Sequence, residues 1–174
     1  MKRLSCMMSG DQITKEMING EISKFRLDEL SIKIPEELLQ FYIDQKILSS
    51  YHRVISSIDG KNEYDTGYFN NIVGDDSAGN KSIIENTYKY KDDDFFGKHH
   101  MIIFNESTGG DLFYVSYGQD DYGKVYFMSM DEGEDVEPVL LANSFGEFID
   151  ALEVDPEDMD LLMALPEDKR GDLP

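Results

Sequence analysis

Three histidines, one cysteine and 36 acidic residues carry whatever metal, nucleophilic or acid–base chemistry this 174-residue chain can perform. His99 and His100 are adjacent. Read as neighbours on a strand, their rings point to opposite faces and cannot share a metal ion. The third, His52, falls in a stretch read as helical. No Cys-x-x-Cys, His-x-x-x-His or His-Glu-x-x-His spacing is present, so no zinc site is expected. Cys6 lies in an N-terminus expected to be mobile, whereas a catalytic thiol needs a base held beside it. There is no Gly-x-Ser-x-Gly elbow. Gly109-Gly110 is followed by neither Lys-Ser/Thr nor a helix, and reads as a hairpin turn rather than a phosphate cradle. Asp92-Asp93-Asp94 lacks the alternating spacing of a calcium loop, and the acidic loop at 74–80 lacks the bidentate Glu that would complete one. Paired carboxylates of the glycosidase kind carry no information in a chain with so many acids. The expectation is a non-enzymatic protein with no catalytic residue, no metal and no cofactor.

What remains is charge. The net charge is −20, and it is unevenly placed. Residues 1–91 hold 14 acids and 12 bases, a balance of −2; residues 92–174 hold 22 acids and 4 bases, a balance of −18. Such a field repels nucleic acid and anionic membrane and attracts basic partners at long range. No apolar run approaches the roughly 18 residues needed to cross a bilayer, the N-terminus lacks a signal-like apolar stretch, and one cysteine makes no intrachain disulfide. A cytoplasmic location is expected.

The elements that position these charges follow from periodicity. Ile13, Met17, Ile18, Ile22, Phe25 and Leu30 predict a helix over 11–30. Pro35, followed by Glu36 and Glu37, opens a second helix, with Leu38, Leu39, Tyr42, Ile43, Ile47 and Tyr51 on its apolar face. Val54, Ile55 and Ile58 lead into an Asp59-Gly60 turn. Tyr68, Phe69, Ile72 and Val73 interrupt a Gly/Asn/Asp-rich stretch as a short strand or irregular segment. Residues 82–90 form a short helix carrying Ile83, Ile84 and Tyr88. Strands then follow at 101–104, 112–117, 125–128 and 139–142, separated by turns and joined as an antiparallel meander. Ser144 and Glu147 fit a capping box, and Phe145, Phe148, Ile149 and Leu152 make one apolar stripe. Asp155-Pro156 starts a last helix with Met159, Leu162, Met163 and Leu165. The fold class is α+β: an antiparallel sheet with N- and C-terminal helices packed on one face. One domain over 1–174, with its core in about 11–165 and frayed ends, fits this length.

The other sheet face must be covered or used. Period two sends Phe113, Val115 and Tyr117 one way and Leu112, Tyr114 and Ser116 the other, so aromatics reach the outer face. Acidic turns at Asp120-Asp121 and at 131–137, five acids in seven residues, flank these strands. Aromatic anchors rimmed by acid suit a basic protein partner. The candidate contacts are Tyr114, Asp120, Asp121, Tyr122, Asp131, Glu132, Glu134 and Asp135.

Three segments resemble the SUKH superfamily, that of the Smi–Knr cell-wall synthesis regulators and of many bacterial immunity proteins. Ile34-Pro35-Glu36-Glu37-Leu38-Leu39-Gln40-Phe41-Tyr42 is similar to its proline-led helix. The strands at 101–104 and 109–116 with Gly123-Lys124-Val125-Tyr126-Phe127 are similar to its meander. Leu141-Ala142-Asn143-Ser144-Phe145-Gly146-Glu147-Phe148-Ile149 is similar to the start of its following helix. Together they span roughly 34–152. The resemblance implies a binding domain without catalysis: an immunity protein that neutralises a cognate basic toxin such as a nuclease, or alternatively a Smi–Knr-type regulator or scaffold. A metal-dependent enzyme is a distant third reading.

Overall fold

The computed structural model describes residues 6–9, 13–45, 47–50, 53–74, 82–107, 109–131, 136–154 and 158–166. β1 (Cys6–Ser9) pairs antiparallel with β2 (Ile47–Ser50). Cys6, expected in a mobile tail, therefore lies in a strand opposite Ser50. Between these strands, α1 (Lys15–Lys24) starts at Thr14, whose hydroxyl accepts from the Met17 N–H.

α1 is shorter than the helix expected over 11–30, and residues 11 and 12 lie outside the described residues. Arg26 has φ 57° and Ser31 φ 60°, in the left-handed region a helix cannot run through. The Leu27 N–H donates to the Ile22 carbonyl and the Arg26 N–H to that of Ser23. This is a Schellman closure with Arg26 where glycine is usual. The pattern repeats one turn on, with Ile32 donating to Leu27 and Ser31 to Asp28. The chain folds back on itself and buries Leu27 and Ile32, while Met17 and Leu30, expected on the apolar face, are exposed.

α2 (Glu36–Gln45) follows Pro35 as expected, with Leu38, Phe41 and Tyr42 buried. It stops before Ile47. That residue belongs to β2, where pairing with β1 satisfies the backbone that a longer helix would have satisfied internally; Tyr51 is outside the described residues. β3 (Arg53–Ser56) and β4 (Glu63–Thr66) form a hairpin around the Asp59-Gly60 turn, with Gly60 at φ 69°. β5 (Tyr68–Phe69) follows across Gly67. A Cβ there would stand 2.0 Å from the Glu106 carbonyl oxygen, so only glycine lets the two backbones meet. α3 (Ile83–Tyr90) is capped by Ser82; Ile83 and Ile84 are buried and Tyr88 is largely exposed.

The expected meander is present. β6 (Met101–Glu106), β7 (Leu112–Ser116), β8 (Val125–Met128) and β9 (Val139–Ala142) pair antiparallel in sequence order, with β5 added at the β6 edge. α4 (Phe145–Ala151) then leads to β10 (Glu153–Val154), which joins β3 and β4 in a separate three-stranded sheet. α5 (Met159–Met163) is the last described helix; residues 155–157, expected to open it, are outside the described residues.

The start of α4 shows how the sequence holds helices to the sheet. Ser144 Oγ accepts from the Glu147 N–H at 3.2 Å. The Glu147 carboxylate reaches back one residue further than a capping box requires, to the Asn143 N–H at 3.0 Å. Glu37 of α2 accepts from the Gly146 N–H at 2.8 Å, tying two helices distant in sequence. Phe145, Phe148, Ile149 and Leu152 are all buried, as the stripe predicts. They pack with Ile102, Phe104, Phe113 and Val115 in the main core. On the opposite sheet face Met101, Ile103, Leu112, Tyr114 and Met128 form a smaller cluster.

Candidate partner-binding surface

The turn between β7 and β8 is organised by Ser116. Its hydroxyl donates to Asp121 Oδ1 at 2.6 Å and accepts from the Gly118 N–H at 3.0 Å. A Cβ on Gly118 would lie 2.6 Å from Asp121 Oδ1 and 3.3 Å from His100 Nδ1. Glycine at 118 therefore allows a carboxylate and an imidazole to close over the turn. His100 is brought there by its own backbone: it follows a 3-10 turn, Gly97–His99, at φ 51°, and its carbonyl accepts from the Tyr117 N–H at 2.9 Å. The two histidines are thus on a turn before β6, not on the strand expected from sequence.

A recess of about 250 Å³ opens on this outer face. Tyr114 and Tyr126, directly opposite across β7 and β8, form its aromatic wall with ring centroids 5.2 Å apart and planes 17° apart. His99, Asp121 and Glu137 line it as well. Burial, then the Asp121 charge, pushes the Tyr126 phenol up to about 12. Burial also raises the Tyr114 phenol far above its ordinary value, and the Tyr126, Asp121 and Glu137 groups act in the same direction. Burial, then Lys98, lowers the His99 imidazole, and Glu137 opposes this. The recess is a negative, partly desolvated pocket walled on one side by two stacked tyrosines.

A second cleft, of about 470 Å³, lies where the two sheets meet. Tyr64 of β4 and Phe127 of β8 face each other in it at 4.1 Å. Glu137 borders both openings.

The structure brings together only part of the expected contact set. Asp121 and Tyr114 share the outer recess. Tyr114 is 2% exposed, so it is a pocket wall rather than a protruding anchor. Tyr122 is 41% exposed but sits on another side, with the Lys33 ammonium 5.9 Å from its ring centroid. Asp120 and Asp131 are exposed. Glu132, Glu134 and Asp135 lie outside the described residues. Glu137, His99 and Tyr126 were not in the expected set. The signal that bears on the histidines is Phe95-Phe96-Gly97, an aromatic pair and a glycine that mark a turn ahead of β6; nothing local in sequence brings Glu137 to Tyr126.

Among the described residues, no three His, Cys, Asp or Glu side chains converge as a metal-ligand group. No described helix is long and apolar enough to cross a membrane. A five-stranded meander backed by a proline-led helix and a Ser-capped helix, with a recess on its opposite face, is an α+β architecture of SUKH type. The chain belongs to the SMI1 / KNR4 family (SUKH-1), whose model matches residues 21–151. The match takes in all three segments on which the resemblance rests. No curated protein and no solved structure matches the chain.

Proposed function

We propose that this protein is a non-catalytic immunity protein that binds and neutralises a basic toxin, docking it against the acidic second half of the chain. The family includes toxin immunity proteins. The observation that carries the reading is the division of charge, −2 over residues 1–91 and −18 over 92–174. An even acidic surface would serve solubility equally well. A one-sided field instead speeds and orients encounter with a basic partner. The protein acts as one domain over 1–174 in the cytoplasm, without metal or cofactor, and engages neither nucleic acid nor membrane.

The test takes as partner a candidate toxin domain sought among the products of the genes neighbouring this one. Asp131→Lys, Glu132→Lys, Glu134→Lys and Asp135→Lys together should slow association about tenfold or more at low salt, and the difference should shrink as salt rises. Stopped-flow association at two ionic strengths reads this directly. Unchanged low-salt rates would remove the acidic loop from the interface. Failure of the unmodified protein to bind or inhibit the toxin would overturn the immunity reading and favour a regulator or scaffold.

A further inference from the structure

The recess between β7, β8 and the turn before β6 holds a buried polar atom with nothing to bond to. The Tyr114 side chain is 2% exposed. It lines the recess together with Asp121 and Glu137, whose charges act on its phenol. His99 Nε2 is buried without a hydrogen-bond partner and lines that recess too. A buried polar atom left unpaired costs free energy that a ligand recovers on binding. One unpaired polar atom, two carboxylates and a tyrosine face thus surround about 250 Å³ of space.

We infer that this recess receives the guanidinium of an arginine side chain presented by a partner protein. Charge complementarity selects a cation: Asp121 and Glu137 outweigh Lys98, and the histidine beside them is held toward its neutral form. Shape and donor count select guanidinium over ammonium. A guanidinium is flat, so it stacks on the Tyr126 ring, which is half-buried and backed by Tyr114. Its five in-plane N–H groups suit acceptors spread around a rim, namely Asp121, Glu137, the Tyr114 oxygen and His99 Nε2. An ammonium offers three donors on a compact, strongly hydrated charge. Ser116 holds Asp121 in place through its 2.6 Å bond, so the site is formed before the ligand arrives.

This inference deepens the proposed function by naming what a basic partner inserts, and its test needs no toxin. The full-length, isotope-labelled protein is titrated with N-acetyl-arginine amide and, separately, N-acetyl-lysine amide, and amide and side-chain NMR shifts are followed. Saturable shifts from the arginine compound confined to His99, Tyr114, Asp121 and Tyr126, with a weaker response to lysine, are expected. Tyr114→Phe keeps the ring and removes the hydroxyl. Glu137→Gln changes an exposed rim residue, so it leaves the fold intact should the first variant not. Each should weaken arginine binding about tenfold, the loss typical of one charged hydrogen bond. Equal response to both compounds, shifts elsewhere on the surface, or no saturation at large excess overturns the site. Such a failure leaves toxin binding untouched, whereas absence of toxin binding with arginine still bound overturns the immunity reading alone.

Discussion

The two faces of the five-stranded sheet are built from different chemistry. The face under α2 and α4 is hydrocarbon: Phe104 packs edge-on to Phe145 at 5.0 Å and to Phe148 at 5.2 Å, and Phe113 to Phe127 at 5.3 Å. Edge-to-face rings of this kind satisfy one another without any polar partner. The opposite face is Met101, Ile103, Leu112, Tyr114 and Met128, bordered by the half-buried Tyr90, Phe95, Phe96 and Tyr126. It is covered by the end of α3 and the turn after it, not by a helix laid along the strands. Methionine adapts its shape and tyrosine carries a polar end. One face is sealed for stability, and the other keeps polar groups and open space at the surface.

Truncating rings on the two faces should separate them most. Phe148→Ala removes a fully buried ring and should cost about 3–5 kcal/mol, whereas Phe96→Ala, half-buried on the outer side, should cost about 1–2 kcal/mol. Urea unfolding of both variants measures the difference, and equal costs would mean that both faces serve stability alike. A smaller effect is expected where the helices are pinned. Glu37→Gln weakens the acceptor at the Gly146 N–H and should cost about 1 kcal/mol by the same measurement. No change would show that Ser144 alone caps α4.

The smallest effect distinguishes the faces by pH. The His99 imidazole is held below its ordinary value of about 6.5, chiefly by burial. Between that value and its own lower one, the unfolded chain binds more protons than the folded one. Stability therefore falls as pH is lowered through this window and levels off beneath it. The urea midpoint should drop slightly more for the unmodified protein than for His99→Gln between pH 7.5 and about 5. Parallel slopes would remove His99 as the source.

The meander and the Ser144 helix were legible because each rests on a local rule: alternating apolar runs such as 112–116, Gly-bearing turns, and a cap followed by a 3.6-period stripe. The β3–β4 hairpin was not. Its strands carry Arg53, Glu63, Asp65 and Thr66, which hide the apolar alternation. The helix expected over 11–30 stops early because left-handed Arg26 and Ser31 occupy positions where glycine would have signalled a stop. Of the recess, Asp121 and Tyr114 were legible as acid beside aromatic strand. His99 and Glu137 were not, because a left-handed turn at His100 and the pairing of β9 with β8 bring them there. The split of the neighbours Asp121 and Tyr122 to different sides follows from the geometry of a turn, which residue types alone do not specify.

The pairing of β10 with β3 has a consequence for the order in which the molecule comes together. Glu153 lies opposite Val54, so this contact closes a loop of about a hundred residues, while each hairpin of the meander closes only a short one. Closure entropy rises with the logarithm of loop length, and the difference amounts to about 2 kcal/mol. Sequence-local hairpins are accordingly favoured as early structure, and contacts of such long range are expected after them. The three-stranded sheet is therefore expected to be completed late, when β10 joins a β3–β4 hairpin that can form on its own.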